Sequence, residues 1–472
     1  MPRLEDKLPL KSAQDYPEPR YPGRFLPLVY GDLSDAPEGL WEAVCLDATQ
    51  RVYALAGHPI LPPEQGNPVA IFDRQGRELG QGYTLRASHD YQGRGAIATL
   101  AFPALTAGDL SFDSGDNSIN SAAGAFGDWR NWHLVVSGSS ANDGCHRVLS
   151  ATPHKLVVSA DSRIKDESAG ASVTLSCDQR QGEPLLVRAQ GKPSPAGGLL
   201  ENPVEVARDL LLAVLGLQED ELDTTSFNRA RRRAAELGYR AAGIVTRPRT
   251  AARELTALLG EFLASWWRGA GGRIKLLMDL GPAGAEEGAL SHVFRAGDLK
   301  AVSLRAGLED LANRVEALYR HNPRRDEFDA LCQDPQARDL RSAGLHGEIA
   351  RTLELRWVRD PQCAAAICRR AAALLAWPRR VITCEEDALA GIHLERGDLA
   401  LISLPWLCDP QGRPLVNQIV RVLSLEPRLD RGTIRFSLMD TGACKTLALR
   451  ADGEYRAGGD HLAGGRRDTT PY

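Results

Sequence analysis

Few residue groupings in this chain could do chemistry, and each has a plainer reading. Cys363 and Cys368 lie five apart in a segment that reads as a helix, with Cys384, Cys408 and Cys444 downstream. No C-x-x-C accompanies them, and an i, i+5 pair diverges around a helix, so buried thiols are expected and an iron–sulfur cluster is disfavoured. The ten histidines show no H-E-x-x-H or other paired spacing, and no metal or cofactor is assigned. Ser137-Gly138-Ser139-Ser140 lacks the G-x-S-x-G nucleophile elbow and reads as a turn. Asp109, Asp113, Asp116 and Asn117 depart from the calcium-loop spacing and read as a solvated acidic loop. There is no P-loop, dinucleotide fingerprint or recognisable carboxylate dyad, so no catalytic residue is assigned.

Two groupings suit contacts rather than catalysis. Arg229, Arg231, Arg232 and Arg233 form the strongest basic run, suited to an acidic neighbour, to the lumen of a ring or to DNA without sequence recognition. A solvated helix face is the plainer reading. Trp266 and Trp267, at the expected end of a helix, are candidate interface residues, with core packing as the default. Trp129 and Trp132 are candidate surface aromatics that could stack on sugar, against packing under a sheet.

The elements that must position these residues follow from the pattern. The chain has 472 residues, 43% hydrophobic and 25% charged, with net charge -4: an ordinary globular composition, several domains, and no global basic field. Nine scattered cysteines argue for reduced thiols and assembly in a cytoplasm. MPRLEDKLPL lacks the apolar core of a secretory signal, and no stretch is long enough to span a bilayer, so no stable membrane insertion is expected.

Residues 1–24, rich in Pro and charge, read as an extended arm. Short β-type runs fill 25–108. Four more fill 109–178, where Asn142-Asp143-Gly144 signals a hairpin turn and a small barrel or sandwich is expected. QGKPSPAGG marks 179–200 as a linker. Residues 201–295 change character. Asn202-Pro203 starts one helix and a second covers about Ser226–Leu237. A third carries Leu255, Leu258, Leu259, Phe262, Leu263 and Trp266 at helical spacing, and a strand follows at Arg273–Asp279. Residues 296–450 mix a helix capped by Asp360-Pro361 with clean strands; Gly397-Asp398 is a turn before one of them. Asn313–Tyr319 fits helix and strand equally. Residues 451–472 read as a mobile tail. The class is therefore α+β, multi-domain and predominantly antiparallel, with a helical segment.

Four stretches, in order, resemble phage tail proteins. PLVYGDLS with AGHPI and FDRQGREL is similar to the opening of tail hub and tail-tip proteins. SINSAAGAF through VVSGSSANDGCHRVLSATPHKLVVSA to DESAGASVTLS looks like a small β module recurrent in tail proteins. NPVEVARDLL, LDTTSFNRA, AARELTALLGEFLASWW and GGRIKLLMD resemble a hub helical segment with a Gly-led strand. DLKAVSL, NRVEALYRHNP, HGEIARTLELRWVRDPQ, VITCEE, LERGDLALISLPW and VRVLSLEPRLDRGTIRFSLMD look like the hub fold shared by contractile-tail baseplate hubs and lambda-like tail tips. The set covers most of 25–442. It departs from the usual pattern at His346-Gly347, where an aromatic before the glycine is more typical.

The resemblance implies hub-type barrels and a strand at Asn313–Tyr319. It implies a structural virion protein of the tail tip or baseplate, usually a homotrimer in the family. Such a ring joins the tail tube or distal tail protein to tip, fibre or needle proteins and encloses the DNA channel. Some lambda-like tail tips hold an iron–sulfur cluster, the source of the cluster weighed at Cys363, Cys368 and Cys384. The alternatives are a tail-associated cell-wall or polysaccharide hydrolase, or a carbohydrate-binding module at 109–178.

Overall fold

The computed structural model describes residues 3–34, 39–177, 184–278, 290–408 and 414–444, and the short segments 447–449 and 455–457. Most of the expected tail, 451–472, lies outside the described residues.

The first half of the chain is β structure around one large apolar core. Val44–Asp47, Val52–Ala56, Ala96–Ala101 and Thr84–Asp90 form a four-stranded antiparallel sheet in that order. Beside it stands a seven-stranded antiparallel sheet in the order Ala104–Ala107, Val173–Cys177, His133–Ser137, Gly144–Thr152, Lys155–Val158, Ser118–Ser121, Leu110–Asp113. Burial alternates along its strands, as in Val173–Cys177, so one face enters the core. That core is shared: Tyr53, Leu100 and Phe102 pack with Trp132, Leu134 and Leu175 of the seven-stranded sheet.

The expected linker at 179–200 is instead partly strand. Leu186–Arg188 is the middle of a three-stranded sheet between Trp41–Glu42 and Ala70–Phe72. The apolar run Leu185, Leu186, Val187 and Ala189, all buried, overrides the loop-like composition around it.

The second half opens with helices α1 (Pro203–Asp209), α2 (Thr224–Glu236) and α3 (Ala251–Glu261). Each start is chemically marked: the Asn202, Asp223 and Thr250 side chains accept the N–H of Val204, Ser226 and Arg253. Arg314–Asn322 is a strand, central between Glu327–Cys332 and Ala350–Glu354. After the short α4 (Leu340–His346) comes α5 (Pro361–Leu375), capped by Asp360, which lies against this sheet. These elements share a second core with α1–α3. The N-terminal residues join it. Leu4, Leu8 and Leu10 are buried there, so within this chain the expected arm packs on its own helices rather than standing free.

A third core lies under a six-stranded sheet in the order Leu290–Arg295, Leu399–Cys408, Pro414–Arg428, Thr433–Cys444, Arg379–Asp387, Lys300–Gly307. Its first pair is parallel and the rest antiparallel. The short α6 (Ala388–Gly391) rests on it. The architecture is α+β and mostly antiparallel. No described helix is long and apolar enough to cross a membrane.

Candidate functional site

The expected site residues do not converge. Arg229, Arg231 and Arg232 are exposed on α2 and Arg233 is half-buried, opposite the buried Phe227, Ala230 and Ala234. Arg231 pairs with Glu205 at 3.2 Å and Arg233 with Glu236 at 3.0 Å. Surface pairs of this kind contribute little, roughly 0–1 kcal/mol.

Trp266 and Trp267 lie on a strand and not at a helix end. Helix α3 stops at Glu261, Leu263 turns through φ +57°, and Ala264–Arg268 pairs antiparallel with Ile274–Met278. The period-3.6 pattern overruns because the glycines at 269, 271 and 272 close a hairpin whose pairing wins over one more helical turn. Neighbouring strand residues face opposite ways. Trp266 donates from Nε1 to Thr256 Oγ1 of α3 at 3.1 Å. Trp267 packs against the Gly397-Asp398 turn, where a Cβ on Gly397 would come within 2.8 Å of the ring. Both tryptophans thus serve contacts inside the chain. At the Gly397 turn φ is +93°, and Asp398 accepts the Glu395 N–H at 2.8 Å.

Trp129 and Trp132 are not surface aromatics. They are 3% and 0% exposed. Their rings stack at 5.3 Å, and Trp132 meets Phe102 edge-on at 4.9 Å and donates to the Gly80 carbonyl at 2.9 Å. Gly80 and Gly82 hydrogen-bond to the 128–130 backbone, and a Cβ on Gly82 would come within 2.2 Å of Trp129. The packing under the sheet needs both glycines.

The Asn142-Asp143-Gly144 hairpin connects His133–Ser137 to Gly144–Thr152 through a longer loop than a two-residue turn. Carboxylates hold it. Asp143 accepts from Ser139 N at 2.7 Å, and Glu167 accepts from Ser140 N at 2.8 Å and from Asn142 Nδ2 at 2.9 Å. Ser139 Oγ accepts the Asn142 N–H. These serines therefore build the loop. Asp109 likewise caps Ala123 N and takes the Ser121 hydroxyl, whereas Asp116 pairs with Lys155. The backbone N–H donors hold the Asp109 carboxyl below the usual range.

The cysteines are dispersed. Cys363 faces the Arg240 backbone, Cys368 faces Cys332, and Cys384 lies in the third core. Burial pushes each of these three thiols up to about 12. No described group of three His, Cys, Asp or Glu could hold a metal ion.

What the spacing did not reveal is a concentration of arginines from separate segments. Arg20, Arg24, Arg74, Arg324 and Arg325 line one concavity of about 440 Å³, with Tyr21 and Tyr53. Arg247, Arg249, Arg324, Arg356 and Arg359 line a second of about 280 Å³, with His321 and Trp357. Arg324 belongs to both. Within this set the local groupings are Arg324-Arg325 and Arg247-Pro248-Arg249; the rest meet only through the fold.

The sequence matches no protein-family model and no curated protein. Solved structures with partial likeness include the virion of a native gene transfer agent particle, at 15% identity and TM-score 0.32, covering 72% of this chain and 82% of that one. A tail protein from Neisseria meningitidis is similar at 12% identity and TM-score 0.31, covering 79% and 97%. A prophage tail protein from Shewanella oneidensis is similar at 8% identity and TM-score 0.29, with the same coverage.

Proposed function

We propose that the chain is a structural subunit of a virion tail, a hub-type protein of the tail tip or baseplate. In this reading several copies, three in the family it resembles, close a ring between the tube or distal tail protein and the tip, fibre or needle proteins. DNA passes through without sequence recognition. The ordered resemblance along 25–442 supports the reading. Arg314–Asn322 adds to it, because periodicity left that segment open and the resemblance implied the strand that is present.

The observation that carries the assembly role is a set of exposed large apolar side chains at one end of the C-terminal sheet. Leu389, Ile392 and Leu429 are 86%, 71% and 93% exposed. The Ala388 N–H donates to the Gly432 carbonyl at 3.0 Å, which holds α6 beside the 429–432 turn. Large apolar side chains grouped at a surface mark a contact with another chain. A cyclic ring closes through unlike patches, so each copy needs such a surface and a complement elsewhere.

Native mass spectrometry tests this, on the protein alone and mixed with its neighbouring gene products. A trimer, or a ring completed by those partners, is expected, and Leu389→Asp with Leu429→Asp should shift the population to monomer. A wild-type chain that stays monomeric and joins none of them overturns the reading.

A further inference from the structure

We propose that the arginine-lined groove formed by the two concavities is a binding site for a phosphodiester strand. The proposal rests on this groove alone and holds whether or not the chain closes into a ring.

The groove is built by convergence. Arg20 and Arg24 come from the N-terminal segment, Arg74 from the turn after Ala70–Phe72, and Arg324 and Arg325 from the hairpin turn after Arg314–Asn322. Arg247 and Arg249 precede α3, and Arg356 and Arg359 precede α5. Among the described residues, nine arginines and three carboxylates, Glu42, Glu254 and Asp326, line the groove, in a chain whose overall charge is -4. The carboxylates are committed: Glu42 to Arg24, Glu254 to Arg249 at 3.5 Å, and Asp326 to Arg356 at 3.0 Å and His321 at 2.8 Å. Among the described residues, no carboxylate lies within ion-pair reach of Arg74, Arg247, Arg324 or Arg325. Grouped like charges repel, so a surplus held in a concave surface is stabilised by an anion that enters it.

The shape and the other lining residues choose the anion. Two concavities that share Arg324 suit an extended ligand with repeated charges better than a single ion. Guanidinium groups bind phosphate oxygens in bidentate fashion. One accessible ring accompanies the arginines in each half, the exposed Tyr21 in one and the half-buried His321 in the other, while Tyr53 and Trp357 are buried beneath them. A cationic track with interspersed rings is the arrangement that holds single-stranded nucleic acid, phosphates on the arginines and bases on the rings. A plain acidic peptide uses only the first of these features. The turn that carries Arg324 and Arg325 is fixed in advance: buried Asn322 accepts the N–H of Arg324 and Arg325 through Oδ1 at 3.1 and 3.3 Å.

The test is fluorescence anisotropy of a labelled oligodeoxynucleotide of about 12 nucleotides, titrated with the full chain between about 50 and 200 mM salt. Arg324→Ala with Arg325→Ala, both exposed on a turn, should weaken binding about tenfold or more and lower the salt slope by about 1.4, two phosphates' worth. Arg229→Ala with Arg232→Ala on α2 should leave both unchanged. A poly(glycerol phosphate) competitor separates the sources: displacement as effective as by unlabelled oligonucleotide assigns the site to the backbone alone, and weaker displacement assigns it to nucleic acid. Unchanged binding in the turn variant, an equal loss in the α2 variant, or tighter binding of a poly-glutamate peptide to the same groove overturns the proposal.

Discussion

At the scale of single residues, one buried histidine is tightly constrained by backbone groups. His58 is buried, accepts the Val29 N–H at Nε2 over 2.8 Å, and lies 2.7 Å from the Pro59 carbonyl through Nδ1. One ring nitrogen must accept and the other donate, so only the neutral ring fits. Desolvation lowers its pKa to about 4, opposed by the Pro59 hydrogen bond and assisted by the charge of Lys192. The unfolded chain takes up this proton near pH 6.5 and the folded chain near 4. The contribution is therefore full above about 6.5 and falls as the pH drops from 6.5 towards 4, by about 3 kcal/mol in total. Denaturant unfolding of wild type and His58→Asn at pH 7, 6, 5 and about 4.5 reads this directly. The wild type should lose stability more steeply on acidification, and parallel pH profiles would show that His58 is not held neutral. Nothing around His58 in the sequence announces this, because its partners are backbone groups at 29 and 59. Lys192 and Asp209, which pair at 2.7 Å beside Tyr30, also meet only through the fold.

At the scale of elements, what was legible depended on whether the signal was local. Caps were: Asn202-Pro203 and Asp360-Pro361 begin helices because the Asn202 and Asp360 side chains satisfy N–H groups two residues on. The α3 overrun shows the limit, since the competing pairing of Trp266 with Leu276 involves residues beyond the helical window. The linker at 179–200 failed for a like reason. Its glycines and prolines are real turn signals, but Leu186–Arg188 finds partners at 41–42 and 70–72 that no window spans. Tertiary partners decided these elements, and the same holds at Gly31. It follows Leu28–Tyr30, which pairs with Gly243–Val245 and so joins the first half of the chain to the second. Its φ is +70°, and a Cβ there would lie 2.1 Å from the Ala241 carbonyl oxygen. Gly31→Ala adds strain and a backbone clash together, and should cost about 2 kcal/mol or more. Gly76→Ala shares the positive φ, +78°, but meets nothing within 4 Å. Comparing the two urea midpoints isolates the clash: a much larger drop for Gly31→Ala is expected, and equal drops would mean the junction yields.

At the scale of the whole molecule, strand patterns did not show which segments share a core. Residues 109–178 carry a nearly complete seven-stranded sheet, and by pattern alone they read as a module. Yet Ala104–Ala107, the edge strand beside Val173–Cys177, lies before the segment, and the sheet's inner face packs on its neighbour. Phe102 and Gly80 complete the surroundings of Trp132, and Gly82 those of Trp129. Removing them exposes two large rings and one edge strand at once. Each buried aromatic lost from such a site costs on the order of 3–5 kcal/mol, comparable to the 5–15 kcal/mol that holds a typical domain. A fragment of residues 109–178 should therefore expose its tryptophans to solvent and lack cooperative unfolding. A fragment of 25–200, which retains the shared core, should keep the blue-shifted tryptophan emission of buried rings and unfold in one transition. Fluorescence and urea titration of the two fragments decide the matter. If 109–178 alone unfolds cooperatively with buried tryptophans, its sheet is self-sufficient and the contact with the first sheet is a docking surface. If it does not, the two sheets form one folding unit, and any motion of the chain would have to move them together.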